Sequence, residues 1–260
     1  MIEIGINPVT FTIGSISVRW YGIMMALAIL WLVVWMTWQI GKGAKISYDT
    51  LFTAALVGIP SGIILSRLLH VVDRWDYYGQ NLGHIIGASG LSAYGAILGA
   101  TLGVWIYSKF SKLQFGYFTD LIAPGIILAQ AIGRVGCTIN GCCYGIETSL
   151  PWGLVCTHPK SLAPLGMATH PTMIYELIYN LLVFAVLLKL RGRFKPDGSL
   201  FLIYLSLYSL WRVGTDFLRV GTPFLFGLHQ AQIIGLIILA ITVPLLAYRI
   251  RWVKAESNAE

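Results

Sequence analysis

Runs of about 20 mostly apolar residues recur along this chain, the length a helix needs to cross bilayer hydrocarbon. They fall at 20–40, 51–71, 91–107, 118–134, 172–188, 200–219 and 232–248. The 260 residues are 57% hydrophobic and 11% charged, where a soluble domain has roughly a quarter of its residues charged. The expected fold is an all-α integral membrane protein of about seven transmembrane helices, because only internally bonded backbone survives in lipid. No composition break marks a second domain, so 1–260 reads as a single polytopic membrane domain. Two polar stretches interrupt it. Residues 72–90, with Trp75, Tyr77 and Tyr78, read as an external arm, and 145–170, with Pro151, Pro159 and Pro164, as an external loop or small head region. Alternating residues from Phe11 to Val18 suggest an interfacial strand or re-entrant piece.

The net charge of +7 would suggest a nucleic-acid partner in a soluble protein. Here the distribution accounts for it. Lys42, Lys45, Lys109, Lys112, Lys189, Arg191, Arg193, Lys195, Arg249, Arg251 and Lys254 all fall in loops on one side of the expected bundle. The positive-inside rule makes that side cytoplasmic, with the N-terminus outside, the C-terminus inside and no nucleic acid required. No Lys or Arg precedes Arg19, so the first run reads as a span and not as a cleavable signal.

Charges inside the apolar runs are costly and normally kept for function. Arg212, Asp216 and Arg219 are spaced four and three apart, so one continuous helix would carry them on one stripe, with Tyr208 on the same face and Tyr204 at its edge. Such a stripe must face the bundle interior. Arg134 ends another run and opens a glycine-rich segment, 133–145, read as a turn. Glu176 lies early in the fifth run, where an outer-face arginine is its natural partner and a helix cap the alternative. Arginines in excess of nearby acids suggest a pocket for a phosphate or carboxylate at the membrane surface. A structural ion network is the competing reading. Arg67 fits either substrate binding or snorkelling. Gly99 and Gly103 suit helix packing.

Cys137, Cys142, Cys143 and Cys156 all fall between the fourth and fifth runs. A disulfide from Cys137 to Cys142 or Cys143 is open, and so is a metal site of Cys137, Cys142, Cys156 and His158, although its spacing fits no usual zinc pattern. Unpaired apolar cysteines are the simplest reading, and no metal and no cofactor is assigned. The absence of any Lys inside a span argues against a retinal-type receptor.

Six segments in order resemble the prolipoprotein diacylglyceryl transferase family. Arg19-Trp20-Tyr21-Gly22 is similar to its Arg-Trp-Tyr-Gly opening, and 89–95 to its Gly-Gly-x-x-x-His-Gly segment. Residues 133–145 resemble its signature Gly-Arg-x-Gly-Asn-Phe-x-Asn-x-Glu-x-x-Gly, and His170 to Glu176 its His-Pro-x-x-x-Tyr-Glu. Arg212, Asp216 and Arg219 match an Arg, acid, Arg pattern, and Gln232 a Gln opening the last span.

The resemblance implies a bacterial inner-membrane enzyme. It would move the diacylglyceryl group of phosphatidylglycerol to the lipobox cysteine of prolipoprotein signal peptides among the membrane lipids, releasing glycerol phosphate. It implies catalytic roles for Arg134, Arg219 and Tyr94. It implies substrate-binding roles for Tyr21, Arg67, Asn140, Gly145, His170, Tyr175, Glu176, Arg212, Asp216 and Gln232. Arg134 and Arg219 would hold the phosphate, and Asp216 would orient Arg219. Tyr94 stands where the family has a His acting as base. Neutral phenol is a poor base at pH 7, so Tyr94 is assigned orientation of the substrate oxygen or thiol. Cys137, Thr138 and Cys142 stand at the signature's Asn, Phe and Glu. A divergent member using another acceptor or phospholipid, and a transporter of anionic lipid, are the rival readings.

Overall fold

The computed structural model describes residues 1–14, 16–85, 92–221 and 223–252. In chain order the elements are β1 (Ile2–Ile4), β2 (Val9–Ile13), β3 (Ile16–Arg19), α1 (Trp20–Gly41), α2 (Tyr48–Asp73), α3 (Trp75–Tyr78) and α4 (Ala93–Phe110). There follow α5 (Phe115–Asn140), β4 (Leu154–Cys156), β5 (Ala168–Thr169), α6 (Thr172–Leu190), β6 (Phe194–Lys195), α7 (Ser199–Thr215), α8 (Gln230–Arg249) and β7 (Arg251–Trp252). Helices α1, α2, α5, α6 and α8 are long and apolar enough to cross a membrane. The chain is thus a mostly helical, multi-pass membrane protein, as the apolar runs require. Helices α4 and α7, of 18 and 17 residues, complete the bundle.

The helices pack in close pairs around a shared centre. Helix α4 lies against α2 through small residues. A Cβ added to Gly99 would stand 2.4 Å from the Ser61 carbonyl oxygen, so only glycine allows this approach. Helix α1 lies on α5, where the Trp35 indole donates a 2.9 Å hydrogen bond to the Leu121 carbonyl. Pro124 lies inside α5, and the neighbouring helices accommodate the break it makes in the backbone ladder. Asp120 on α5 caps α7 from outside, accepting from the backbone N–H of Gly198 at 2.7 Å and Phe201 at 2.9 Å. A carboxylate at a helix N-terminus satisfies otherwise orphaned donors. Tyr94, Ile127, Val183, Leu187, Tyr204 and Tyr208 meet in the central core.

Three features differ from the sequence expectations. The segment 133–145 is not one turn: α5 runs on to Asn140, and the chain breaks only at Gly141 in the left-handed region, φ 67°. The signature arginine therefore sits inside a helix. Secondly, α7 stops at Thr215 and tightens into a 3-10 turn over Asp216–Leu218, leaving Arg219 extended at φ −97°, ψ 145°. Arg212, Asp216 and Arg219 do not share one helix. Thirdly, short strands accompany the helices. Strands β2 and β3 form an antiparallel hairpin where alternation suggested a strand. Strand β1 pairs in parallel with β4, which pairs with β5. Residues 89–91 of the segment before α4 lie outside the described residues, as does the last part of the expected arm.

Candidate active site

Helix α5 delivers Arg134, α6 delivers Glu176, and the end of α7 with the 3-10 turn delivers Arg212, Asp216 and Arg219. These five side chains form a chain of alternating charge. Arg134 Nη2 is 2.7 Å from Glu176 Oε1, and Arg212 Nη1 is 3.6 Å from Glu176 Oε2. Arg212 Nη2 is 2.8 Å from Asp216 Oδ1, and Arg219 Nη1 is 3.6 Å from the same oxygen. All five side chains are at least largely buried, Glu176 to 2% exposure. Burial of a charge is tolerable only with partners, which is why the acids and bases interleave. Three guanidinium groups face two carboxylates, so one positive charge is in surplus. Arg219 Nη2 is buried without a hydrogen-bond acceptor, and Arg212 Nη1 has the Glu176 carboxylate only at 3.6 Å. Unsatisfied cationic donors of this kind fit an anionic oxygen ligand.

The backbone around the ion chain is held by a three-way junction. Gly145 N–H donates to the His170 carbonyl at 2.9 Å, and Gly145 bridges Arg219. A Cβ on Gly145 would stand 2.5 Å from the Leu218 carbonyl oxygen and 2.6 Å from His170 Cβ. Only glycine lets the turn after α5, the start of α6 and the exit of α7 meet here. The Tyr144 carbonyl accepts from Val220 N–H at 3.5 Å on the same seam.

Beside Arg134, the thiols of Cys137, Cys142 and Cys143 lie within 4.8 Å of one another, and all are free. Arg134 Nη1 is 3.7 Å from Cys137 Sγ. Cys143 reaches the surface although protein surrounds it on most sides. Hydrogen bonds from the Cys137 and Cys142 thiols, then the charges of Arg219 and Arg134, hold its thiol well below the ordinary thiol range. The chain folds into this trio because Gly141 reverses α5, and Cys143 itself adopts φ 63°. Cys156 is buried in β4 and shares an apolar cluster with Cys137 and Cys142, but it is not part of the sulfur trio.

Comparison with known proteins decides the lineage. The family model described as prolipoprotein diacylglyceryl transferase matches residues 8–248. A protein of Dehalococcoides mccartyi named phosphatidylglycerol–prolipoprotein diacylglyceryl transferase is 53% identical over 99% of this chain and 100% of its own length. One from Clostridioides difficile with the same name is 36% identical over 89% of this chain and 90% of its own. The chain belongs to the prolipoprotein diacylglyceryl transferase family.

The other residues of the family pattern fall into distinct settings. Asn140 accepts a 3.0 Å hydrogen bond from Arg19 Nη1, joining the end of α5 to the start of α1. Tyr21 lies close by, within electrostatic reach of Arg134 and the cysteine trio. His170 Nδ1 is 3.5 Å from the Tyr175 hydroxyl, which accepts from Trp152 at 2.8 Å. Gln232 is buried with both ends of its amide engaged, accepting from His229 N–H at 2.9 Å and donating to the Val213 carbonyl at 3.2 Å. It clamps α8 to α7. Arg67 donates to the carbonyls of His84 at 2.6 Å and Ile85 at 2.9 Å, so it ties the external segment to α2. Tyr94 is 3% exposed in the core, its hydroxyl donating to Ser209 at 3.4 Å and its ring edge-on to Tyr208.

Two participants escaped the sequence reading. Arg19 carries the family's opening tetrapeptide, but only the structure pairs it with Asn140. Thr172, which donates its hydroxyl to the Cys143 carbonyl and so fixes the cysteine turn, gives no signal beyond its place after Pro171.

Proposed function

We propose that this member of the family is a transferase of the bacterial inner membrane. It moves the diacylglyceryl group of phosphatidylglycerol to the cysteine thiol of a prolipoprotein signal peptide and releases glycerol phosphate. The relatives' names state these two substrates. The observation that carries the reading is the surplus guanidinium charge, with a buried Arg219 donor left without an acceptor.

The chemistry follows from that charge. Arg134 and Arg219 hold the phosphodiester, whose paired oxygens match the guanidinium fork. The acceptor sulfur, as thiolate, attacks the glyceryl carbon bonded to the bridging phosphate oxygen. A carbon–sulfur bond forms, the carbon–oxygen bond breaks, and the electron pair leaves on the phosphate. The arginines stabilise the charge that grows there. Glu176 and Asp216 keep the guanidinium groups in place, with Arg212 between them. Tyr21 meets the headgroup, while Asn140, Gly145, His170, Tyr175 and Gln232 hold the walls of the site. Tyr94 acts as a positioning residue through Tyr208. Arg67 sets the external segment over the lipid. On this reading the chain crosses seven times, with the N-terminus, the arm and the 145–170 region outside, and the site opens to the outer leaflet among the membrane lipids.

Reconstitution in phosphatidylglycerol vesicles with a lipobox peptide tests this. A thioether-linked diacylglyceryl peptide is expected, and Arg219→Ala should slow its formation about 10²–10³-fold. Lipid movement between leaflets without thioether product would favour a transporter. Product on a serine or amine acceptor alone would favour a different transferase.

A further inference from the structure

We propose that Cys137, Cys142 and Cys143 bind a divalent thiophilic cation, zinc, whose open fourth position takes the acceptor thiol as a thiolate. This rests on the transferase reading for its role, although the metal site stands on its own geometry.

The sulfurs come from two sides of one turn. Cys137 lies in the last turn of α5, and Cys142 and Cys143 return beneath it after Gly141. Their mutual distances stay within 4.8 Å. Tetrahedral zinc with sulfur bonds of about 2.3 Å needs sulfurs about 3.8 Å apart, so a contraction of no more than about an ångström closes the set. Cys143 holds φ 63°, a conformation a non-glycine residue keeps only where its surroundings impose it. Cys137 and Cys142 also pack into the apolar cluster around Leu154 and Met173, whereas Cys143, the third sulfur, reaches the surface. Arg134 Nη1, 3.7 Å from Cys137 Sγ, supports a charged sulfur as an outer partner.

The ligand type selects the ion: three thiolates suit a soft-accepting divalent cation such as zinc. A fourth protein ligand is not required, because a zinc site that does chemistry keeps one position open.

The same site answers a need of the reaction. The acceptor thiol must lose its proton before it attacks. Glu176 and Asp216 are both committed to arginines, and the Tyr94 hydroxyl is enclosed against Ser209. A thiol that coordinates zinc is deprotonated outright, and its proton passes to water. The zinc-bound sulfur then attacks the glyceryl carbon, the carbon–oxygen bond breaks toward the phosphate on Arg134 and Arg219, and the neutral thioether dissociates from the metal.

The test uses full-length protein in detergent. Metal analysis after zinc loading should find one zinc per chain, and C142S/C143S should weaken binding by more than the roughly 100-fold that loss of an outer partner costs. With cobalt(II) in place of zinc, thiolate-to-cobalt absorption should appear, and it should change on adding a lipobox peptide but not its Cys→Ser analogue. Thioether formation in phosphatidylglycerol vesicles should fall at least about tenfold on chelation and return with zinc. Failure to bind either metal, or oxidation of the trio to a disulfide under air with activity intact, overturns the site. Full transfer by zinc-free protein overturns its role while leaving the transferase reading standing. A cobalt spectrum that responds to peptide thiol, with no thioether formed under any condition, keeps the site and overturns the transferase reading.

Discussion

Glu176 Oε1 stands 2.7 Å from Arg134 Nη2, and this contact joins α6 to α5 inside the bundle. The other oxygen of Glu176 faces Arg212, so one carboxylate holds two helices and an arginine of a third. Removing the carboxylate charge leaves two buried guanidinium groups short of a partner. Glu176→Gln should cost about 3–5 kcal/mol, the usual penalty for breaking a buried ion pair from one side. Denaturant unfolding in detergent micelles measures it, and a loss below about 1 kcal/mol, the range of a solvent-exposed pair, would show that water or lipid replaces the missing charge.

Arg219 is held more loosely than Arg212, at 3.6 Å from the carboxylate they share. Its freedom suits a ligand. Arg219→Ala should reduce kcat about 10²–10³-fold, as loss of one donor to developing charge does. Arg219→Lys keeps the charge but not the fork and should recover only a minor part. Steady-state transfer assays read both, and a lysine variant of near-native rate would assign Arg219 a purely coulombic role.

Gly145 contributes no functional group, yet its Cβ would collide with the Leu218 carbonyl and with His170. Gly145→Ala should destabilise by about 1–3 kcal/mol through overpacking and lower activity by displacing Arg219. Thermal unfolding measured beside turnover checks this. A variant with native stability and native turnover would mean that the junction yields without moving the arginine.

Tyr94 offers a sharper separation. Its hydroxyl makes a long hydrogen bond to Ser209 within the core. Tyr94→Phe should cost about 0.5–1.5 kcal/mol of stability and leave turnover within about tenfold, since the ring against Tyr208 stays. A loss beyond about 100-fold, worth roughly 2.7 kcal/mol in the barrier, would place the phenol at the reacting atoms.

The bundle was legible in the sequence because bilayer thickness imposes its own length on every span. The end of α7 was not. The four-and-three spacing of Arg212, Asp216 and Arg219 fits a continuous helix as well as the observed 3-10 turn, and no Gly or Pro lies at 216–219 to mark the change. Likewise, the glycines at 133 and 136 suggested a turn, but in α5 Gly136 lets the helix approach Met24 of α1. An arginine partner for Glu176 was legible from cost alone; that it bridges two of them required the fold. The cysteines gave the least. Spacing along the chain did not separate Cys156 from Cys143, because the turn at Gly141 decides which sulfur returns to Cys137.

The short strand pairs have a bearing on the path of the chain. Strand β1 lies beside β4, so the chain between them ends on the face where it started and must traverse the bilayer an even number of times. If α1, α2 and α5 each traverse it, α4 has to do the same. Strand β6 lies beside β7, with only α7 and α8 between, so α7 must share the fate of α8. Parity thus recruits two helices whose own hydropathy leaves them undecided.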